Sequence, residues 1–165
     1  MTAASKQINI NAPTDRVFDY LVDVERHVEW SGALSYGLKK INKVTPGPLK
    51  PGSVFKSLGL LSSETGVEDT STVTEVEPYS RLTWETVSTG DAQQNTFRWA
   101  YTMEPQGNGT RLTYSLLERR FNPKPLPMWF PPLIWLVDHK VFGREMAGGL
   151  QKIKETMEQR GFIPS

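Results

Sequence analysis

Two side chains in the C-terminal half have the chemistry to move a proton. His139 stands beside Asp138 in a long proline-free stretch, and Glu118 ends a strand-like run followed by Arg119 and Arg120. An imidazole changes charge near neutral pH, which suits it to general acid or base work. A carboxylate carried into an apolar cavity has its pKa raised by desolvation or requires a cation. Arg119 or Arg120 could be that cation, or could hold an anionic ligand head. His139 and Glu118 are therefore the candidate catalytic residues. Each also has an ordinary reading: a histidine at a rim satisfied by a backbone carbonyl, and charges lying in water where a strand ends.

A second group suits binding. Trp84, Phe97, Trp99, Tyr101 and Tyr114 all fall on the apolar phase of alternating segments. Rings supply area, and the polar tips of Tyr and Trp orient a guest, so these residues make a candidate wall for a ligand pocket. Facing them, Trp135, His139, Phe142 and Met146 recur at steps of three and four residues, followed by Leu150, Ile153 and Met157. Such steps stack side chains along one helix face. Together the two sets are the expected contacts for a small hydrophobic molecule, with ordinary core packing as the alternative. His27 follows Arg26 on a short surface helix and is expected to be solvated.

The elements that must position these residues can be read in outline. Residues 6–11 alternate polar and apolar as a half-buried strand does. Pro13 punctuates, Thr14 is a candidate helix cap and Asp15 suits the positive helix end. The helix that follows should bury Val17, Phe18, Leu21 and Val22 and leave Arg16 and Asp19 in water. Asp23 is a candidate cap for a second short helix over 24–30. From Tyr36 onward, strand-length segments alternate with turn residues, including Pro46-Gly-Pro48, Pro51-Gly52, Pro78-Tyr-Ser80 and the 105–109 turn, which is the pattern of a meander. The last three strands are legible: Leu82, Trp84 and Thr86; Phe97, Trp99, Tyr101 and Met103; Leu112, Tyr114 and Leu116 share one phase, with polar residues between them. Segments 52–61 and 67–77 alternate less clearly, and their inward residues are not assigned.

The long helix is expected over 132–160, about 40 Å at the helical rise per residue. Pro132 suits its first turn, and Gly161 with Pro164 stops it. Gly143, Gly148 and Gly149 each cost it about 1 kcal/mol relative to alanine. They leave room for a ligand, a close approach to the sheet, or a bend.

Composition excludes much. The chain has 165 residues, 19 basic and 18 acidic, so a single domain over 1–165 is expected and nothing marks a nucleic-acid partner. It has no cysteine and two histidines, which removes disulfides, thiolate nucleophiles and histidine-rich metal centres, so no metal is expected. No Gly-x-Ser-x-Gly elbow, phosphate loop or dinucleotide fingerprint occurs, and no cofactor is expected. The first residues lack the apolar core of a signal peptide, which makes a cytoplasmic location the default. The apolar run 126–137 is shorter than the roughly 20 residues of a membrane span. Within it, Trp129, Phe130 and Trp135 could form a lid, a cavity wall, or a patch for peripheral membrane or protein contact.

The order of elements, strand, two short helices, meander and long C-terminal helix, resembles the helix-grip fold of the START-like superfamily, also grouped as SRPBCC, polyketide cyclase/dehydrase-like or Bet v 1-like proteins. Three stretches carry the likeness: residues 8–30, with Ala12-Pro13 before the first helix and Trp30 after the second; Thr74-Glu-Val-Glu-Pro-Tyr-Ser-Arg-Leu-Thr-Trp84; and Gly107-Asn-Gly-Thr-Arg-Leu-Thr113. The resemblance implies an α+β fold, with a curved antiparallel sheet of six or seven strands wrapped around the long helix. It also implies a cavity between them that in relatives holds lipids, hormones, polyketides or other apolar molecules. The run 128–135 departs from the usual lead into this helix by being more apolar and proline-rich. Binding or transport of a small hydrophobic ligand is thus the expected function. The alternatives are a cyclase or dehydrase working through His139, Tyr101, Tyr114 or Glu118, and an interaction module using the 126–137 segment.

Overall fold

The computed structural model describes residues 4–31, 38–58, 68–89, 94–122, 140 and 142–159. In chain order it contains β1 (Ala4–Ile10), α1 (Thr14–Val22), a 3-10 helix (Val24–Glu29), β2 (Lys40–Lys43), β3 (Val54–Leu58), β4 (Asp69–Glu77), β5 (Arg81–Thr89), β6 (Gln94–Gln106), β7 (Gly109–Asn122) and α2 (Gly143–Gln159). The seven strands form one curved antiparallel sheet in the order β1-β7-β6-β5-β4-β3-β2. Strands β2 to β7 follow one another as a meander, and β1 closes against β7, so the two short helices carry the chain from one sheet edge to the other.

Helix α1 forms as its pattern dictates. Val17, Phe18, Tyr20 and Leu21 are buried, while Arg16 and Asp19 face water. Its cap differs from the expectation: Pro13 occupies the N-cap position in extended backbone, and no side chain caps the helix. With Thr14 already inside the helix, its hydroxyl is not placed to cap, and the Asp15 carboxylate accepts from the Arg16 N–H at 2.9 Å. Asp23 likewise makes no cap bond and instead pairs with Arg26 at 3.0 Å.

The β6–β7 hairpin turns through Gly107, whose φ of +59° favours glycine. Gly109 is required for a different reason: a Cβ there would lie 2.5 Å from the Ile10 carbonyl oxygen. This is the hairpin expected around Asn108. At the β4–β5 turn the left-handed position is taken by Tyr79 at φ +61°. A non-glycine residue is uncommon there, and its ring makes an edge contact with Phe18, 5.4 Å between centroids.

Helix α2 lays Met146, Leu150, Ile153 and Met157 against the inner sheet face, the stripe that the three- and four-residue steps had marked. The earlier part of the expected helix, with Trp135, His139 and the Trp129–Phe130 patch, lies outside the described residues. Among the described residues no helix is long and apolar enough to cross a membrane, and no group of side chains could hold a metal ion.

Candidate functional site

A cavity of about 220 Å³ lies between α2, the 3-10 helix and the inner sheet face. Strand register sets what lines it, because side chains facing one another across antiparallel strands form rows. One row runs Val73, Trp84, Trp99, Leu116, Ala4. The next row toward β2 runs Phe55, Ser71, Thr86, Phe97, Arg119. A third contains Ile41, Ser57 and Asp69 from β2 to β4, and Ser88 opposite Asn95 from β5 to β6. From the first row to the third the wall changes from large rings to small polar groups.

The aromatic side is continuous. Trp84 and Tyr114 stack at 6.3 Å, Trp99 lies 5.7 Å from Tyr114, and Phe97 lies 5.9 Å from Trp99. Phe142, at the start of α2, reaches 6.0 Å from both Phe97 and Trp99 and closes the cavity on the helix side with Met146. Of the residues expected to contact a ligand, Trp84, Phe97, Trp99, Tyr114, Phe142 and Met146 therefore line one cavity. Tyr101 does not reach the wall. It packs behind Trp84 and Tyr114, at 5.3 and 4.5 Å, and its hydroxyl accepts the Trp30 indole N–H at 3.1 Å. Burial pushes the Tyr101 and Tyr114 phenols well above their ordinary value, so both stay protonated at neutral pH.

Two placements overturn the sequence reading. His27 is not solvated: it is 3 % exposed, lines the cavity, and has its ring 4.7 Å from Trp30. Its Nε2–H donates to the Leu21 carbonyl at 2.8 Å, leaving Nδ1 as an acceptor. Desolvation lowers its pKa to about 4. Arg26 sits on the water side of the same short helix, and the tight 3-10 winding turns its neighbour inward. Glu118 takes its ordinary reading, in water, and not the inward position of a catalytic carboxylate, although the strand runs on past it. The β6–β7 register shifts between Arg98 and Trp99, so that Trp99 faces Leu116 while Arg98 faces Glu118. Leu117 is the extra residue, and this bulge reverses the phase of everything after it. Glu118 consequently lies on the outer face, exposed, bonded to Arg120 at 2.7 Å, which holds its carboxyl below the usual range. Arg119 takes the inward register position opposite Phe97.

The polar side of the wall escaped the sequence reading. Ser71 and Thr86 share a hydrogen bond of 2.8 Å between their hydroxyls, and Ser57, Asp69 and Ser88 continue the surface. From the helix, half-buried Glu145 joins them, its carboxyl pKa raised by burial. The signal was present as phase: counting back by twos from Val73 reaches Ser71 and Asp69. Gly149 also lines the cavity. A Cβ there would just touch the Trp30 carbonyl oxygen at 3.4 Å, so α2 passes close to Trp30 at this position.

An open antiparallel sheet gripping a C-terminal helix over a lined cavity is the helix-grip, Bet v 1-like fold. A family model described as polyketide cyclase / dehydrase and lipid transport matches residues 1–158, and the chain belongs to that family. Among solved structures, a conserved protein from Geobacillus kaustophilus is similar with a TM-score of 0.64 at 13 % identity, covering 94 % of each chain. Ara h 8.0201 is similar with a TM-score of 0.59 at 11 % identity, over 94 % of this chain and 97 % of its own. The di-domain ARO/CYC protein BexL, from a biosynthetic pathway, is similar with a TM-score of 0.60 at 14 % identity, over 94 % of this chain and 46 % of its own. A comparison with curated proteins finds no match.

Proposed function

We propose that the protein binds a small, largely apolar molecule in the cavity between sheet and helix. The observation that carries this reading is the cavity wall itself: Trp84, Phe97, Trp99, Tyr114 and Phe142 present ring surface to open space rather than filling it. Pockets for drug-sized ligands run to roughly 300–1,000 Å³. The smaller space here, about 220 Å³, favours a one- or two-ring or short-chain body over a long acyl lipid. Family membership and the helix-grip fold support the same class of ligand.

Three of the described ionisable groups, His27, Tyr101 and Tyr114, support binding over proton transfer. A general acid or base works best with a pKa near the operating pH, whereas His27 titrates near 4 and the two buried phenols well above 10. His27 and Tyr114 are thus fixed in one protonation state and act as hydrogen-bonding groups toward a guest. Native mass spectrometry of freshly purified protein, followed by solvent extraction, tests the reading. A stoichiometric apolar adduct that extraction releases is the expected result. Empty protein that also takes up none of a panel of one- and two-ring apolar probes would overturn it.

A further inference from the structure

The charge inside the cavity points to the kind of ligand. Two of the described lining residues carry carboxylates, Asp69 on β4 and Glu145 on α2, and none is lysine or arginine. Asp69 is 8 % exposed and Glu145 half-buried, so both lie in surroundings that strengthen Coulomb interactions. Arg144, beside Glu145, is exposed, and Arg119, on the inner register opposite Phe97, is not part of the lining. His27 adds no positive charge near neutral pH.

Hydrogen-bonding capacity leans the same way. With Nε2 committed to Leu21, His27 offers Nδ1 as an acceptor. Across the same space lie the faces of Trp84, Trp99 and Tyr114, and aromatic faces attract cations through the ring quadrupole.

We infer that the cavity selects a protonated organic amine, its apolar body on the Trp84–Trp99–Tyr114 wall and its ammonium toward the Asp69 and Glu145 carboxylates. This rests on the cavity being a ligand site at all, and the test separates the two claims. Naphthylmethylamine, naphthylmethanol and naphthoate share one ring system and differ in charge. In calorimetric titrations of the full chain at neutral pH and constant salt, the amine should bind about tenfold or more tighter than the alcohol, with naphthoate weakest. Glu145→Gln, at a half-exposed position that tolerates the change, should shrink the amine's advantage over the alcohol severalfold. Asp69→Asn should shrink it further. Equal binding of amine and alcohol would overturn charge selection and leave the apolar reading standing, as would tightest binding of naphthoate. A preference for the amine that survives both substitutions would overturn the assignment to these carboxylates. No binding by any of the three would overturn both claims.

Discussion

The two walls of the cavity come from the same sheet and are furnished in opposite ways. Where β5, β6 and β7 meet, the inner face carries Trp84, Trp99 and Tyr114, backed by Tyr101 and Trp30. Where β2, β3 and β4 meet β5, it carries Ser57, Asp69, Ser71, Thr86 and Ser88 around Phe55 and Ile41. The first wall is a piece of hydrophobic core with one open side, and on the proposed function its residues both hold the fold together and receive a ligand. The second is polar in a position where core would ordinarily be, so it contributes little to burial. On the proposed function it is the surface that a ligand's polar groups contact. Stability should therefore reside in the aromatic wall and discrimination in the polar one.

Substitutions on each wall test this division of labour. The largest effect is expected from Trp84→Ala, which removes a buried indole and should cost about 3–5 kcal/mol in urea unfolding. A cost near that of a surface substitution would show that the aromatic wall is not core. Next is His27, whose imidazole is held neutral by burial between the walls. Because its folded pKa lies near 4, below the ordinary 6.5, its contribution is fully present above pH 6.5 and is lost as pH falls from 6.5 to 4. That loss amounts to about 3 kcal/mol. His27→Gln keeps a donor for the Leu21 carbonyl and cannot titrate, so its stability should depend less on pH across that window when the two proteins are unfolded in parallel. On the polar wall, Ser71→Ala deletes one partner of the Thr86 hydroxyl and should cost only about 1 kcal/mol. It should nevertheless change relative affinities within a ligand panel, and a variant with unaltered preferences would count against a discriminating role. The smallest effect is expected at Glu118, which lies outside both walls: Glu118→Gln should leave ligand affinity unchanged in the same titrations.

The contrast between the walls also explains what could be read from the sequence. Alternation is visible when one phase is apolar, so β5, β6 and β7 were legible down to Phe97, Trp99 and Tyr114, as was the Phe142–Met157 stripe on α2. On β4 the inward phase runs Asp69, Ser71, Val73, and with polar residues on both faces there is no alternation to see. Glu118 was misplaced because a bulge at Leu117 shifts the phase by one residue without any mark in composition. His27 was misplaced because a 3-10 helix advances three residues per turn, so a histidine between Arg26 and an exposed Val28 can still point inward, in phase with buried Val24 and Trp30. The fold was recoverable because it depends on patterns several elements long. The polar half of the site depends on single residues whose burial only tertiary structure decides.

On the proposed function both walls face one guest. Two-dimensional amide and indole NMR during titration with naphthylmethanol tests it most directly. The prediction is a single saturating process in which the Trp84 and Trp99 indole signals and the Ser71 and Thr86 backbone amides shift together, at the same midpoint. Shifts confined to exposed residues, or to one wall while the other stays silent to saturation, would contradict it.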